Sequence, residues 1–291
     1  MRAHNLKRLL FLAAFLGLIF LLFHLGSGDG VLPLEADRLG YIDLNGIIAE
    51  SEEVVGDIDD LADNPRVRGL VVRIDSPGGA VAPSQEIHAA LLRFQEEHHK
   101  PVVISMGNVA ASGGYYIACG AKRIVADPGT LTGSIGVIMH FTRVDPLLDR
   151  LGVSSQVVKS GRYKDIGSPT RAMTDDERAL LAGVIDSVYG QFVQAVATGR
   201  HLPEAQVRAL ADGRIFSGAQ AKEAGLVDDL GSLHEALRIA GEITNLGPTP
   251  ELLRPQERGM RRLRRVVDSA ALSRWLPQLT PTSGLCYLAP F

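Results

Sequence analysis

Two short segments of this 291-residue chain carry residue types and spacings that can do chemistry. The first is NVAASGGYYIACG, residues 108–120, where the apolar run VVISM leads into small residues, then Ser112-Gly113-Gly114, then an apolar helical pattern from Tyr115. A serine at a strand-to-helix junction presents its hydroxyl where the backbone N–H groups that follow point at developing negative charge. That is the logic of a nucleophile elbow, although the GxSxG pattern is absent. The plainer reading of Ser112 is an N-cap, and both stay open on these residues alone. The second segment is RIDSPGGAVA, residues 73–82, in which a Val-rich strand ends in a Pro77-Gly78-Gly79 turn. Glycines there let another backbone or an oxyanion approach closely, and the plainer reading is a turn with no further task. It lacks the GxxxxGK[ST] run that cradles phosphate.

A serine hydroxyl is a poor nucleophile near neutral pH and needs a base. His140, in IMHFTRVD, and His201, in GRHLPEA, lie in no recognisable functional setting. A lysine serves if burial or neighbours bring its pKa down from ~10.4. Lys164 is best placed, in the Gly/Ser/Pro-rich loop KSGRYKDIGSPTRAMT, and long polar loops in compact domains are often functional. Lys159 and Lys122 remain rivals, and a solvated surface charge is the plain alternative for any of the three.

The elements that must position these residues read as strands alternating with helices. Strands are expected at 39–45, 67–75, 101–106, 123–126 and 155–158; several are continuous Val/Ile runs suited to burial on both faces. A helix is expected over 83–97, with Ile87, Leu91 and Phe94 on one face. A longer one starts at Thr174, where Thr174 and Glu177 fit a capping box, with Leu181, Val184, Val188 and Phe192 as its apolar stripe. A last helical pair is expected at 203–211 and 218–242. This alternation predicts an α/β domain of strand–turn–helix units without internal repeat.

Composition narrows the classes further. The formal net charge of -3 offers no basic field for nucleic acid. Cys119 and Cys286 are too few and too far apart for a disulfide framework or a zinc site, and no HExxH spacing occurs, so no metal or other cofactor is expected. Residues 9–25 form an uncharged apolar run of about the ~17 residues that a short membrane helix needs. Arg2, Lys7 and Arg8 precede it while Asp29, Glu35 and Asp37 follow, which predicts a cytoplasmic N-terminus (1–8), a signal anchor (9–25), a linker (26–38) and an extracytoplasmic body. A cleaved signal peptide is the alternative, although no convincing cleavage site ends the apolar run. The body proper is expected over 39–246, with 247–291 an extension of uncertain structure. In that extension the basic stretch 261–265 reads either as a solvated helix face or as a contact for anionic lipid. The terminal GLCYLAPF reads either as a disordered tail or as an extended segment that docks on a neighbour or fills a groove.

Four motifs in order, RIDSPGGAV, MGNVAASGGYYIACGAKRIVADPGTLTGSIGVI, KSGRYKDIGSPTRAMTDDER and GRIFSGAQAKEAGLVDDLG, resemble the signal peptide peptidase A family, the Ser/Lys peptidases of family S49. The likeness is to the short, single-copy form and covers roughly residues 39–242 plus the anchor. It implies a ClpP/crotonase-like fold of repeated ββα units preceded by one transmembrane helix. It implies Ser112 as nucleophile, Lys164 as general base, Gly79 and Gly113 as oxyanion-hole donors, and Ser134 as the serine that orients the lysine. It also implies a peptide substrate adding as a β-strand along Gly79, Ala80, Val81 and Ala82. Further implications are a homo-oligomeric ring, an octamer being the candidate size, in which adjacent subunits share the Ser/Lys pair, and a site on the periplasmic side of a bacterial inner membrane. Cleaved signal peptides or other apolar peptides would be its substrates. Three alternatives are a peptidase of membrane-protein quality control, a crotonase-like acyl-CoA enzyme, which would need a catalytic acid and a cytoplasmic chain, and a non-proteolytic scaffold, which would tolerate loss of Ser112 or Lys164.

Overall fold

The Val/Ile strands sit where both of their faces can be covered. The computed structural model describes residues 36–255 and the backbone of 286–288; the expected anchor at 9–25 and the basic stretch at 261–265 lie outside the described residues. The elements, in order, are β1 (Arg38–Asn45), α1 (Glu52–Asp63), β2 (Val67–Ser76), β3 (Gly78–Ala80), α2 (Val81–Glu96), β4 (Val102–Ala111), α3 (Gly113–Ala118), β5 (Arg123–Ala126) and β6 (Leu131–Gly133). There follow α4 (Asp145–Arg150), α5 (Asp175–Arg200), α6 (Glu204–Leu210), β7 (Ile215–Ser217), α7 (Gly218–Glu223), β8 (Asp229–Leu230), α8 (Leu233–Ile243), β9 (Leu252–Leu253) and β10 (Cys286–Leu288).

The main sheet runs β7-β6-β4-β2-β1-β9, parallel except for the β6–β7 pair, with β5 and β8 branching off β4. Strand β4 is the fork. Its first half, Val103–Met106, pairs with β5, and its second half, Val109–Ala111, pairs with β6. Between the halves the register with β2 slips, and Asp75 absorbs the break by accepting the Val109 N–H at 3.0 Å. The redirected end of β4 carries Ser112.

Alternation along the strands sends Ile42, Leu70, Val72, Ile74, Ile104 and Met106 into a large core with α1, α2, α3 and α5, while Leu39, Tyr41, Val71, Val103 and Val125 pack on the other face beside Ala236 and Ala240 of α8. Burial on both faces explains why these strands read as continuous apolar runs. The helix expected at 83–97 begins two residues earlier, with Pro83 in the first turn, where its missing N–H costs nothing.

Three expectations are corrected. No strand forms at 155–158; the segment is coil, with Val157 half exposed and Val158 fully so, because no strand among the described residues offers it a ladder. The expected helix at 218–242 is two: Gly225 at φ +77° ends α7 in a left-handed cap, Leu226 and Val227 enter the core, and β8 pairs with β5 before α8 begins. The apolar stripe of α5 is buried only in its second half, at Phe192, Val193 and Val196, while Leu180 and Val184 are exposed. Among the described residues α5 is the one helix long and apolar enough to cross a membrane, but its buried second half serves the core.

Candidate active site

Ser112 sits at the turn between β4 and α3 with φ 54° and ψ -115°, a strained conformation for a residue with a Cβ. Its backbone is held on both sides: the N–H donates to Gly133 of β6 at 2.8 Å, and the carbonyl accepts from Tyr116 at 2.8 Å. Its side chain is not held. The hydroxyl makes no cap hydrogen bond, although the residue occupies the N-cap place, so the plain reading of this serine fails. Among the described residues, Ser112 Oγ is the one buried side-chain polar atom without a hydrogen-bond partner. Such an orphan costs about 1–3 kcal/mol and calls for an explanation.

The glycine turn packs against it. A Cβ placed on Gly113 would lie 2.6 Å from Ser84 Oγ, 3.2 Å from the Gly79 nitrogen and 3.3 Å from the Gly78 Cα. Gly79 is equally crowded, since a Cβ there would lie 2.0 Å from the Ile48 carbonyl oxygen. Residues 78 and 80 spend their peptide groups on Ile48: its N–H donates to the Gly78 carbonyl at 3.0 Å, and Ala80 N–H donates to its carbonyl at 2.7 Å. The peptide groups of Gly79 therefore face the opposite edge of β3, because successive residues of a strand point their N–H and C=O groups to opposite sides. On that edge lies antiparallel β10, with Tyr287 opposite Gly79, and β10 also runs alongside α3. Strand β3 ends at Ala80. Val81 and Ala82 open α2, so pairing with an incoming strand is confined to 78–80 and does not extend over Val81 and Ala82.

Ser134 follows the Gly133 that receives the Ser112 N–H. It is buried, has φ 49°, and donates its own N–H to the Arg214 carbonyl at 2.8 Å. It lines a cavity of about 370 Å³ with Ile135, Ile185, Asp186 and Tyr189. Ser112, Gly113, Gly79 and Ser134 thus come together within one chain.

Lys164 does not join them. It lies exposed in the 159–171 loop, its N–H bonded to the Gly161 carbonyl at 3.2 Å, and it is not within hydrogen-bonding reach of Ser112 Oγ. The rivals fare differently. Lys122 precedes β5 and bonds Val102 at the start of β4, so the length of that strand, roughly 30 Å at ~3.3 Å per residue, separates it from Ser112. Lys159 is on the same loop as Lys164, but its ammonium is paired with Asp165. His140 is exposed, and His201 is the left-handed C-cap of α5. His88, in α2, packs edge-on to Tyr116, and burial pushes its pKa down to about 4. Among the described residues no group of three or more His, Cys, Asp or Glu could hold a metal ion. Burial pushes the free Cys119 thiol up to about 12, which leaves it inert.

Sequence reasoning missed Ser84, whose hydroxyl donates to the Ala80 carbonyl at 2.8 Å and walls Gly113. It also missed the ion-pair cluster of Asp165, Arg171 and Glu177 beneath Lys164. The cluster's signal was its place inside the KSGRYKDIGSPTRAMTDDER motif, whereas Ser84, two residues past the RIDSPGGAVA segment, carried none.

Comparison with known proteins covers the last three of the four motifs. The sequence model of Peptidase family S49 matches residues 94–246. A putative protease of Synechocystis is 50% identical over 179 residues, 62% of this chain and 64% of that protein. A putative protease of Methanocaldococcus jannaschii is 35% identical over 232 residues, covering 79% of this chain and 70% of the relative. A putative signal peptide peptidase SppA of Enterococcus faecium is 35% identical over 213 residues, 69% of this chain and 62% of the relative. The chain therefore spans about two thirds of the length of these relatives. With more than half of its residues matched by the family model, among them the strained serine turn and the lysine loop, the chain belongs to peptidase family S49.

Proposed function

We propose that this chain is a serine peptidase in which Ser112 is the nucleophile and Lys164 the general base. The observation that carries the reading is the Ser112 hydroxyl, buried, without a partner, and held on a strained strand-to-helix turn. Nothing in packing or capping accounts for it, and a nucleophile awaiting its base does. The base comes from a neighbouring copy of the chain. Lys164 is out of reach in its own subunit and exposed there, whereas a lysine base needs to be desolvated. The surroundings of its loop favour such a neighbour: Ile138, Phe141, Leu147, Leu151, Val153 and Val157 are exposed along 138–158, as are Leu180 and Val184 of α5. So many large apolar side chains left in water favour an interface, and a homo-oligomeric ring, with an octamer as candidate size, would bury them.

In the reaction, Lys164 of the neighbouring copy takes the proton of Ser112 as Oγ attacks the scissile carbonyl. Gly79 and Gly113 N–H groups stabilise the oxyanion, each good donor contributing roughly 3–4 kcal/mol. Lys164, oriented by Ser134, then protonates the leaving amine, and water activated by the same lysine hydrolyses the acyl-enzyme ester, freeing the carboxylic product and restoring the Ser112 hydroxyl. The peptide adds antiparallel to β3, the edge along which β10 of this chain already lies. Apolar peptides, cleaved signal peptides among them, suit this strand-pairing site, and the finer fold assignment is the ClpP/crotonase-like arrangement of ββα units. A signal anchor at 9–25 would hold the site on the periplasmic side of a bacterial inner membrane.

The test is mixing. Ser112→Ala and Lys164→Ala, each purified as full-length chain, should be inactive on a fluorogenic apolar peptide. Subunits scrambled by reversible dissociation should regain activity, up to about a quarter of wild type per site if pairing is random. Activity retained in either single variant would sink the dyad. Two dead variants with a dead mixture would sink its sharing between subunits.

A further inference from the structure

Among the described residues the Lys164 side chain makes no hydrogen bond or ion pair, so its location is inherited from the loop that carries it. That loop curls through three backbone bonds, Lys164 to Gly161 at 3.2 Å, Ile166 to Tyr163 at 3.1 Å and Ser168 to Asp165 at 3.1 Å. Turns of this kind on an exposed segment do not fix it against the body of the domain. Two side chains do: Arg162, paired with Asp176 in the first turn of α5, and Arg171, which makes the fuller contact. The Arg171 guanidinium donates from Nε to Asp165 Oδ2 at 2.8 Å and from Nη2 to Asp165 Oδ1 at 2.9 Å, a two-pronged grip on the residue next to Lys164. From its other face it donates from Nη1 to Glu177 Oε2 at 2.8 Å and from Nη2 to Glu177 Oε1.

Glu177 is itself held by burial and by Thr174. It is buried in the first turn of α5, and its carboxylate also accepts the Thr174 N–H at 2.9 Å while its own N–H reaches Thr174 Oγ1 at 3.3 Å, which closes the capping box. A chain of contacts thus runs from the start of α5 through Glu177, Arg171 and Asp165 to Lys164. We propose that Arg171 is a positioning residue for catalysis, which ties the Lys164 loop to α5 and keeps the Asp165 carboxylate occupied so that it cannot pair with the Lys164 amine. The second task follows from the geometry. Both Asp165 oxygens are taken, by Arg171 and by Lys159, whose Nζ also reaches the Arg162 carbonyl at 3.0 Å. Arg162 in turn is paired with Asp176, so the charged groups facing Asp165 and its loop are spent on one another. A carboxylate left free beside Lys164 would hold its amine as the ammonium, which cannot accept a proton. Only a guanidinium spans two carboxylates with planar forks on both sides; a lysine would grip one.

This inference rests on Lys164 being the base, and the experiment separates the two. Full-length Arg171→Ala, Asp165→Asn and Lys164→Ala are compared with wild type on the fluorogenic peptide, with assembly followed by sedimentation. A small displacement of a catalytic group can cost about a hundredfold. Arg171→Ala should accordingly lose at least about tenfold in kcat with KM little changed, and the acid limb of its kcat–pH profile should move to higher pH as Asp165 Oδ2, which Arg171 alone holds, is freed to pair with Lys164. Asp165→Asn keeps the Arg171–Glu177 grip and the capping box, so it should fold normally. It should lose kcat without that upward move, because the competing carboxylate is gone. A folded, assembled Arg171→Ala with kcat within about twofold of wild type and an unmoved acid limb overturns the proposal. If Arg171→Ala fails to fold, an Asp165→Asn enzyme of wild-type kcat overturns it alone. Activity surviving in Lys164→Ala instead removes the base assignment, and this inference with it.

Discussion

At the residue scale, Ser112 carries two local costs at once. Its positive φ costs about 1–3 kcal/mol, and the unpaired buried hydroxyl costs a similar amount. Ser112→Gly removes both, less the ~0.5–1 kcal/mol that a glycine's backbone entropy costs, and should stabilise the fold by roughly 1–5 kcal/mol in chemical denaturation while abolishing peptide cleavage; Ser112→Ala should recover part of that gain. A stability loss in both variants would mean that the turn is not strained. Gly113→Ala tests the neighbouring contact. Its methyl would press on Ser84 Oγ and lie beside the Gly79 nitrogen, so stability and kcat should both fall. Adding Ser84→Ala should return stability but leave kcat low, since the methyl still crowds the Gly79 nitrogen. These two readings were within reach of the sequence only in part. Small residues around Ser112 and Gly79 announce close approach, but neither the sign of φ at Ser112 nor the hydroxyl of Ser84 opposite Gly113 can be read without the chain path.

At the scale of elements, the legible features were those with a local cause. Thr174 and Glu177 form the capping box that their spacing requires, and Thr174→Ala should cost about 1 kcal/mol in denaturant melts. The strand β5 has the bounds its sequence suggests. The failures all involve partners that are distant in sequence. Among the described residues, 155–158 have a strand composition but pair with no strand, and Leu180 and Val184 in the first half of α5 are exposed. The proposed assembly would give both a partner from another copy. Under the proposed assembly, hydrogen exchange along 138–173 should be fast in dissociated subunits and slow in the assembled protein. Equal exchange in the two states would leave this arm outside any interface.

At the scale of the whole molecule, pH should act through His88. Burial holds its folded-state pKa near 4, below the ~6.5 of an unfolded chain, so the unfolded state binds the extra proton between those values. Stability is then fully present above about pH 6.5 and declines as the pH falls toward 4, by something on the order of 3 kcal/mol. Replacing His88 with a neutral isostere, His88→Gln, should flatten that slope in denaturation series at pH 7, 6, 5 and ~4. A wild-type slope that survives the substitution would assign it to another group. The α/β class was legible because the alternation of strands and helices is written in local periodicity. The fork of β4, which aims Ser112, was not, since it depends on which strand lies on each side of each half.

The pairing of β10 with β3 has a consequence in mass action. A segment of the same chain lies against the edge proposed to receive substrate, so any incoming peptide competes with a tethered rival. Tethering gives a rival an effective concentration set by the reach of the chain that joins it rather than by its amount in solution. The apparent affinity for a peptide then scales with the fraction of time the edge is vacant. A chain ended before Cys286 should show a lower KM for short peptides with kcat unchanged. The gain should be largest for peptides that bind weakly on their own, and an added peptide of the GLCYLAPF sequence should reverse it.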